Sequence, residues 1–166
     1  MVATIQVSVQ TGATAGSPTD GVAGVDFISA DNALNTLPNR QNYPITVGTN
    51  SYEKWVRLKI ATPGANYTNN FKIWGDGAVT TSTTLAFTCG IVTYTQGTTA
   101  TSVIADKNFV NFTALAAAKG TWDTTTYWQT NTGSYTKYAV FQLQVGADCL
   151  PGNWTQETIS YSYDEA

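Results

Sequence analysis

Apolar and polar positions alternate with a period of two in successive stretches of this chain, the pattern of strands half-buried against a core. Ile5, Val7 and Val9 open it. Ser51 to Ala61 sets Val56, Leu58 and Ile60 on one face and Trp55, Arg57 and Lys59 on the other. After the turn cluster Thr62-Pro63-Gly64-Ala65-Asn66, Phe71 to Trp74 reads as a second strand, able to pair directly with the first and ending at Gly75-Asp76-Gly77. Thr83 to Thr95 is rich in β-branched residues, with Leu85, Phe87, Cys89, Ile91 and Thr93 opposed to Thr84, Ala86, Thr88 and Val92. Gly90 in its middle is placed to form a bulge. Tyr138 to Val145 and Thr155 to Asp164 alternate again, and the turn Asp148 to Asn153 between them predicts a hairpin-like pair around Pro151-Gly152.

The pattern lapses between Thr11 and Gly48, where Gly, Ala, Ser, Thr, Asn, Asp and Pro surround isolated apolar residues such as Val25, Phe27, Ile28, Leu34 and Leu37. Such a length without regular structure predicts a long arm or loop region that is functional, disordered, or laid against another surface. Helix formers gather at Thr113 to Gly120, where a Thr cap, a late Lys119 and a stopping Gly predict the chain's one short helix, about two turns long. The expectation is an all-β, two-sheet antiparallel sandwich, Ig-like or jelly roll, with a closed barrel as the alternative. It divides into an N-terminal strand and extended arm over residues 1–48 and a sandwich domain over 49–166.

Composition narrows the chemistry. The 166 residues include no histidine, and 8 basic and 11 acidic side chains give a net charge of −3. Without histidine, imidazole-assisted nucleophiles, imidazole proton shuttles and most zinc sites are gone together. The three glutamates, Glu53, Glu157 and Glu165, and the single, scattered aspartates predict no facing carboxylate pair of the kind glycoside hydrolysis uses. The reading is a protein that is not an enzyme and takes no cofactor and no metal. Trp74-Gly75-Asp76-Gly77 and Tyr163-Asp164-Glu165 are acidic spots that lack the regular calcium-loop spacing.

Basic residues stand singly apart from Lys54, Arg57 and Lys59, which argues against nucleic acid as a partner. No apolar run reaches the roughly 18 residues of a membrane span, so no membrane partner is expected. The start, Met1-Val2-Ala3-Thr4, shows no basic region leading into an apolar stretch, so no signal peptide is read there. Without that export signal, the sequons at Asn66, Asn111 and Asn153 are read as products of an Asn- and Thr-rich composition. Cys89 and Cys149 lack CxxC spacing, and the sequence leaves open whether they pair.

One stretch mixes rings with neutral polar groups: Lys119 to Lys137 interleaves Trp122, Tyr127, Trp128 and Tyr135 with Thr, Asn, Gln, Ser and Gly. These four are the candidate interaction residues. They are suited to stacking on sugars, to anchoring a protein interface, or to capping the open end of the sandwich.

Arg40 to Ile45, Tyr52 to Lys59, Asn70 to Gly75, and the ending Pro151-Gly152-Asn153-Trp154-Thr155 with Ile159 to Glu165 resemble β-rich virion structural proteins of tailed bacteriophages. The likeness covers about two thirds of the chain. It implies a capsid decoration or auxiliary head or tail protein, made in the host cytoplasm and located in the virion. Its partners would be the major capsid or another virion protein and further copies of itself, with residues 4–48 and 119–137 as candidate contacts. A carbohydrate- or receptor-binding module, with a glycan stacked on Trp122, Tyr127 and Trp128, is the alternative.

Overall fold

The computed structural model describes residues 1–12, 16–31, 37–75, 82–95, 120–152 and 158–166. They form two antiparallel sheets facing each other across one core, an all-β sandwich. The strands are β1 (Thr4–Gln10), β2 (Thr19–Asp20), β3 (Lys54–Thr62), β4 (Tyr67–Gly75), β5 (Thr83–Ile91), β6 (Gly120–Asp123), β7 (Tyr127–Trp128), β8 (Tyr138–Val145) and β9 (Ile159–Glu165). A short helix α1 (Leu37–Asn42) precedes β3, and a single 3-10 turn (Gln129–Asn131) follows β7. The five-stranded sheet has the order β2-β1-β3-β8-β5. In the four-stranded sheet β9 runs along one side of β4, while β6 and β7 share the other, because Thr68 pairs with both Tyr127 and Glu165, and Lys72 with both Thr121 and Ser162.

From β3 to β9 the chain changes sheet at every connection, save that β6 and β7 belong to the same one. This overturns both direct pairings expected from the sequence. β3 and β4 lie in different sheets, since Thr62 to Asn66 bridges the two layers instead of closing a hairpin. Gly64 in that link is closely approached: a Cβ there would stand 3.0 Å from the Tyr67 carbonyl oxygen and 3.2 Å from Glu165 Cβ, so a side chain would press its neighbours aside. The backbone N–H of Gly64 donates to Thr68 Oγ1 at 3.1 Å, fixing the entry into β4. Likewise β8 pairs with β3 and β5, whereas β9 pairs with β4, so Pro151-Gly152 lies on a crossing between sheets.

The inward faces carry the expected residues. Val9, Val56, Leu58, Ile60, Leu85, Phe87, Ala139 and Phe141 from one sheet meet Phe71, Ile73, Trp122 and Tyr127 from the other. Two bulges keep these faces in phase. Gly90 (φ 80°) shifts the register between Cys89 and Ile91, so that Ile91 turns to the outer side, away from Leu85 and Phe87 with which the sequence had grouped it. Asn70 (φ 51°) is an extra residue between Asn69 and Lys72, and it returns Phe71 and Ile73 to the core after Thr68.

Much of the stretch read as an arm is built into the domain, while residues 40–44 and 46–48 stay exposed. β1 sits between β2 and β3, Val22, Val25 and Phe27 pack on the core, and Ile28 is buried. Helix α1 also falls here, at a position the sequence reading left extended. The helix expected at Thr113 to Gly120 lies, but for Gly120 at the start of β6, outside the described residues. Cys89 and Cys149 are not bonded to each other.

Residues 26–31 are fastened to β3 by Lys54, whose side chain is 1% exposed and whose Nζ donates to the carbonyls of Ala30 (3.1 Å) and Asp31 (3.4 Å). Burial pushes this ammonium down to about 8, against the opposing pull of Asp31 and Asp26. The folded value lies below the ordinary 10.5, so between those limits the unfolded chain binds more protons and stability rises with pH. Lys54→Met is expected to lack that rise. Urea titrations at pH 7 and pH 10 should show the wild type gaining up to about 2–3 kcal/mol relative to the variant.

Candidate functional site

The residues preceding β8 organise around one carboxylate. Asp123, at the end of β6, is buried and accepts from the backbone N–H of Thr125 (3.0 Å) and of Lys137 (2.9 Å), from Thr125 Oγ1 (2.7 Å) and from the Tyr127 hydroxyl (2.8 Å). The Lys137 ammonium stands 3.6 Å away. Burial alone would raise this carboxyl, but the backbone donors of Lys137 and Thr125 with the two hydroxyls outweigh it and hold it below its ordinary value. The Tyr127 phenol is pushed up, by burial and then by its bond to the carboxylate. The arrangement ties the end of β6, β7 and the approach to β8 into one rigid corner.

That corner decides the fate of the four candidate rings. Trp122 is 3% exposed, its Nε1–H donates to the Lys137 carbonyl at 2.8 Å, and its ring meets Tyr161 edge-on. Tyr127 is 7% exposed and packs edge-on against Phe71. Tyr135 turns to the five-stranded sheet, where its hydroxyl donates to Asp20, which also accepts from Lys59 Nζ and Ser8 Oγ at 2.6 Å each. Trp128 alone is open to solvent, 57% exposed. Trp122, Tyr127 and Trp128 therefore do not form one platform: β-strand alternation sends Tyr127 inward and Trp128 outward, and the core takes Trp122.

Trp128 has a different companion. It pairs across strands with Tyr67, and the two rings meet edge to face with centroids 5.5 Å apart. Its backbone is fixed, since its N–H donates to Asn131 Oδ1 at 2.7 Å and the next N–H, of Gln129, to the Asn66 carbonyl at 3.1 Å. Because the Asn70 bulge inverts the alternation of β4, Tyr67, Asn69, Lys72 and Trp74 share the outer face of the four-stranded sheet, opposite Ser160, Ser162 and Asp164 of β9. The sequence reading missed Tyr67 and Trp74 as members of a common surface. The only signal was the polar Asn69-Asn70 step inside an otherwise alternating run.

The outer face of the five-stranded sheet is closed instead. Trp55, Tyr138 and Val140 are buried there under Ile91 and Tyr94, and the Tyr94 hydroxyl donates to the Gly12 carbonyl at 2.7 Å. The Arg57 guanidinium lies over the Tyr135 ring at 3.8 Å and the Tyr138 ring at 4.9 Å.

Among the described residues no three His, Cys, Asp or Glu side chains gather as a metal site, and no helix is long and apolar enough to cross a membrane. Of the acidic spots, Asp76 lies outside the described residues, Asp164 accepts from Asn70 Nδ2 at 2.7 Å, and Glu165 accepts from the Ala3 N–H at 2.8 Å. No family model, curated protein or solved structure matches the chain.

Asp123→Asn is expected to cost about 2–4 kcal/mol at neutral pH, since the amide cannot accept from every donor around it. The folded pKa is lowered, so the carboxylate's contribution is complete above the ordinary 3.8 and is lost as pH falls through the folded value. Urea midpoints measured down to about pH 2 should fall more steeply in the wild type than in the variant.

Proposed function

We propose that this chain is a non-enzymatic structural protein of a tailed-phage particle, a capsid decoration or auxiliary head protein that stabilises the shell through contacts with the major capsid protein and with its own copies. The motif resemblance supplies the particle, and the sandwich supplies a means of attachment. The observation that carries the reading is the outer edge of β9. Among the described residues this seven-residue strand pairs only with β4, and in its sequence Ile159-Ser-Tyr-Ser-Tyr-Asp-Glu165 the Pro and Lys that blunt edge strands are absent and the only charges, Asp164 and Glu165, stand at its end. An open edge of that kind accepts a strand from a neighbour, with main-chain hydrogen bonds providing affinity. The low charge of the chain fits permanent neighbours, because it offers little mutual repulsion.

Since β1 lies inside the five-stranded sheet, contacts are more naturally made by β9 and by surface loops than by a detachable N-terminal arm. In particles that carry the chain, quantitative mass spectrometry should find a copy number in simple ratio to the major capsid protein. Particles assembled without it should release their genome at a temperature several degrees lower. Absence of the chain from purified particles, or unchanged heat release without it, would sink the reading.

A further inference from the structure

We infer that the outer face of the four-stranded sheet is a binding site for a neutral oligosaccharide of equatorially linked hexoses, with the Trp128 ring, braced edge-on by Tyr67, as its principal platform and Trp74 as a second. The Trp128 indole is 57% exposed and is held ready: strand pairing, the Asn131 side chain and the neighbouring Gln129–Asn66 bond fix its backbone, and Tyr67 props the ring edge-on. Little conformational entropy is then lost on binding. A hexose ring with equatorial substituents presents a flat array of axial C–H groups, and an indole face accepts such an array while its hydroxyls reach neighbouring amides and alcohols.

The surroundings fit that ligand better than any charged one. Between the two aromatic positions the face bears Asn69, Thr121, Ser160 and Ser162, and among the described residues its charges are Lys72 and Asp164, the latter bonded to Asn70. Among the described residues it has no basic stripe for a polyanion and no continuous apolar surface for a hydrophobic helix. Neutral amides and hydroxyls beside rings are complementary to an uncharged polyol. Tyr67 and Trp74 are separated by roughly 20 Å along β4, from the rise per strand residue, which is the reach of several sugar units and not of one. The site thus calls for an extended chain, with Trp74 engaged only by longer ligands.

This inference is independent of particle membership and is tested on the isolated chain. Cellobiose, cellohexaose, chitohexaose and a heparin hexasaccharide serve as probes, with binding read by calorimetry and by tryptophan fluorescence. The expectation is binding of at least one neutral hexasaccharide, weaker binding of the disaccharide, and no preference for heparin. Trp128→Ala should weaken hexasaccharide binding roughly tenfold or more, and Trp128→Tyr should restore part of it. Trp74→Ala should reduce hexasaccharide affinity while leaving disaccharide affinity unchanged. Leu150→Ala, at an exposed side chain in the link after β8, should change nothing. Circular dichroism and thermal midpoints establish that each variant folds, and Tyr67→Ala replaces Trp128→Ala should the latter not. No binding of either neutral hexasaccharide, binding of heparin alone, or binding indifferent to both platform substitutions overturns the site.

Discussion

The phase of side-chain alternation is the constraint on which this sandwich rests. A strand has only two faces, so an extra residue in one place transfers every later side chain to the opposite layer. Here the chain inserts such a residue at Asn70 and turns at Gly90, each with positive φ. Without the first, either Thr68 or the Phe71–Ile73 pair would face solvent. Without the second, Ile91 would enter the core beside Phe87, and the outer cluster around Trp55 would lose a member. Glycine tolerates positive φ without strain, and asparagine is among the few other residues that adopt it readily. Local backbone chemistry and the global layer order are therefore the same requirement seen at two scales.

A second consequence is asymmetry between the two outer faces. The five-stranded sheet is covered on both sides: inward by the common core, outward by Tyr94, Ile91 and the stacked Arg57. That double burial brings polar groups out of water. Ser8 finds Asp20, and the Gln142 amide finds the Ser51 carbonyl at 3.1 Å, but Gln10 Oε1 and Arg57 Nε are buried with no hydrogen-bond partner among the described residues. Lys54 is the costliest member, a buried cation satisfied by two carbonyls at the edge of the core. In the four-stranded sheet the buried polar groups are Thr68 and Asp123, on the core side, while Tyr67, Asn69, Lys72 and Trp74 on its outer face are half-buried.

Much of this was legible in the sequence and some was not, for identifiable reasons. Period-two runs located β1, β3, β5, β8 and β9 and assigned Val56, Leu58, Ile60, Phe141 and Leu143 to one side, since burial of one face is a local property of each strand. Strand order is not local. The links after β3 and after β8 carry turn residues whether they close a hairpin or cross between layers, so both misplaced pairings came from assuming that neighbours in sequence are neighbours in a sheet. The aromatic stretch failed differently. Trp122, Tyr127, Trp128 and Tyr135 look alike in composition, but one buried carboxylate, Asp123, bends the chain so that two rings serve the core, one joins the five-stranded sheet and one remains outside. An isolated Asp in a Thr-rich stretch gives no hint that it accepts four hydrogen bonds.

The asymmetry bears on how the two proposals fit together. A module that joins neighbours through the β9 edge extends its four-stranded sheet sideways, and this leaves the outer face of that sheet uncovered by the contact itself. Copies arranged in this way would present Trp128, Tyr67 and Trp74 repeatedly on one side of a lattice. Repetition matters because a single platform of exposed rings binds sugars weakly, whereas many copies on one particle act on the same polysaccharide with a high effective concentration. Edge and face thus make compatible demands: the edge uses main-chain groups and the face uses side chains, so neither contact consumes the atoms the other needs.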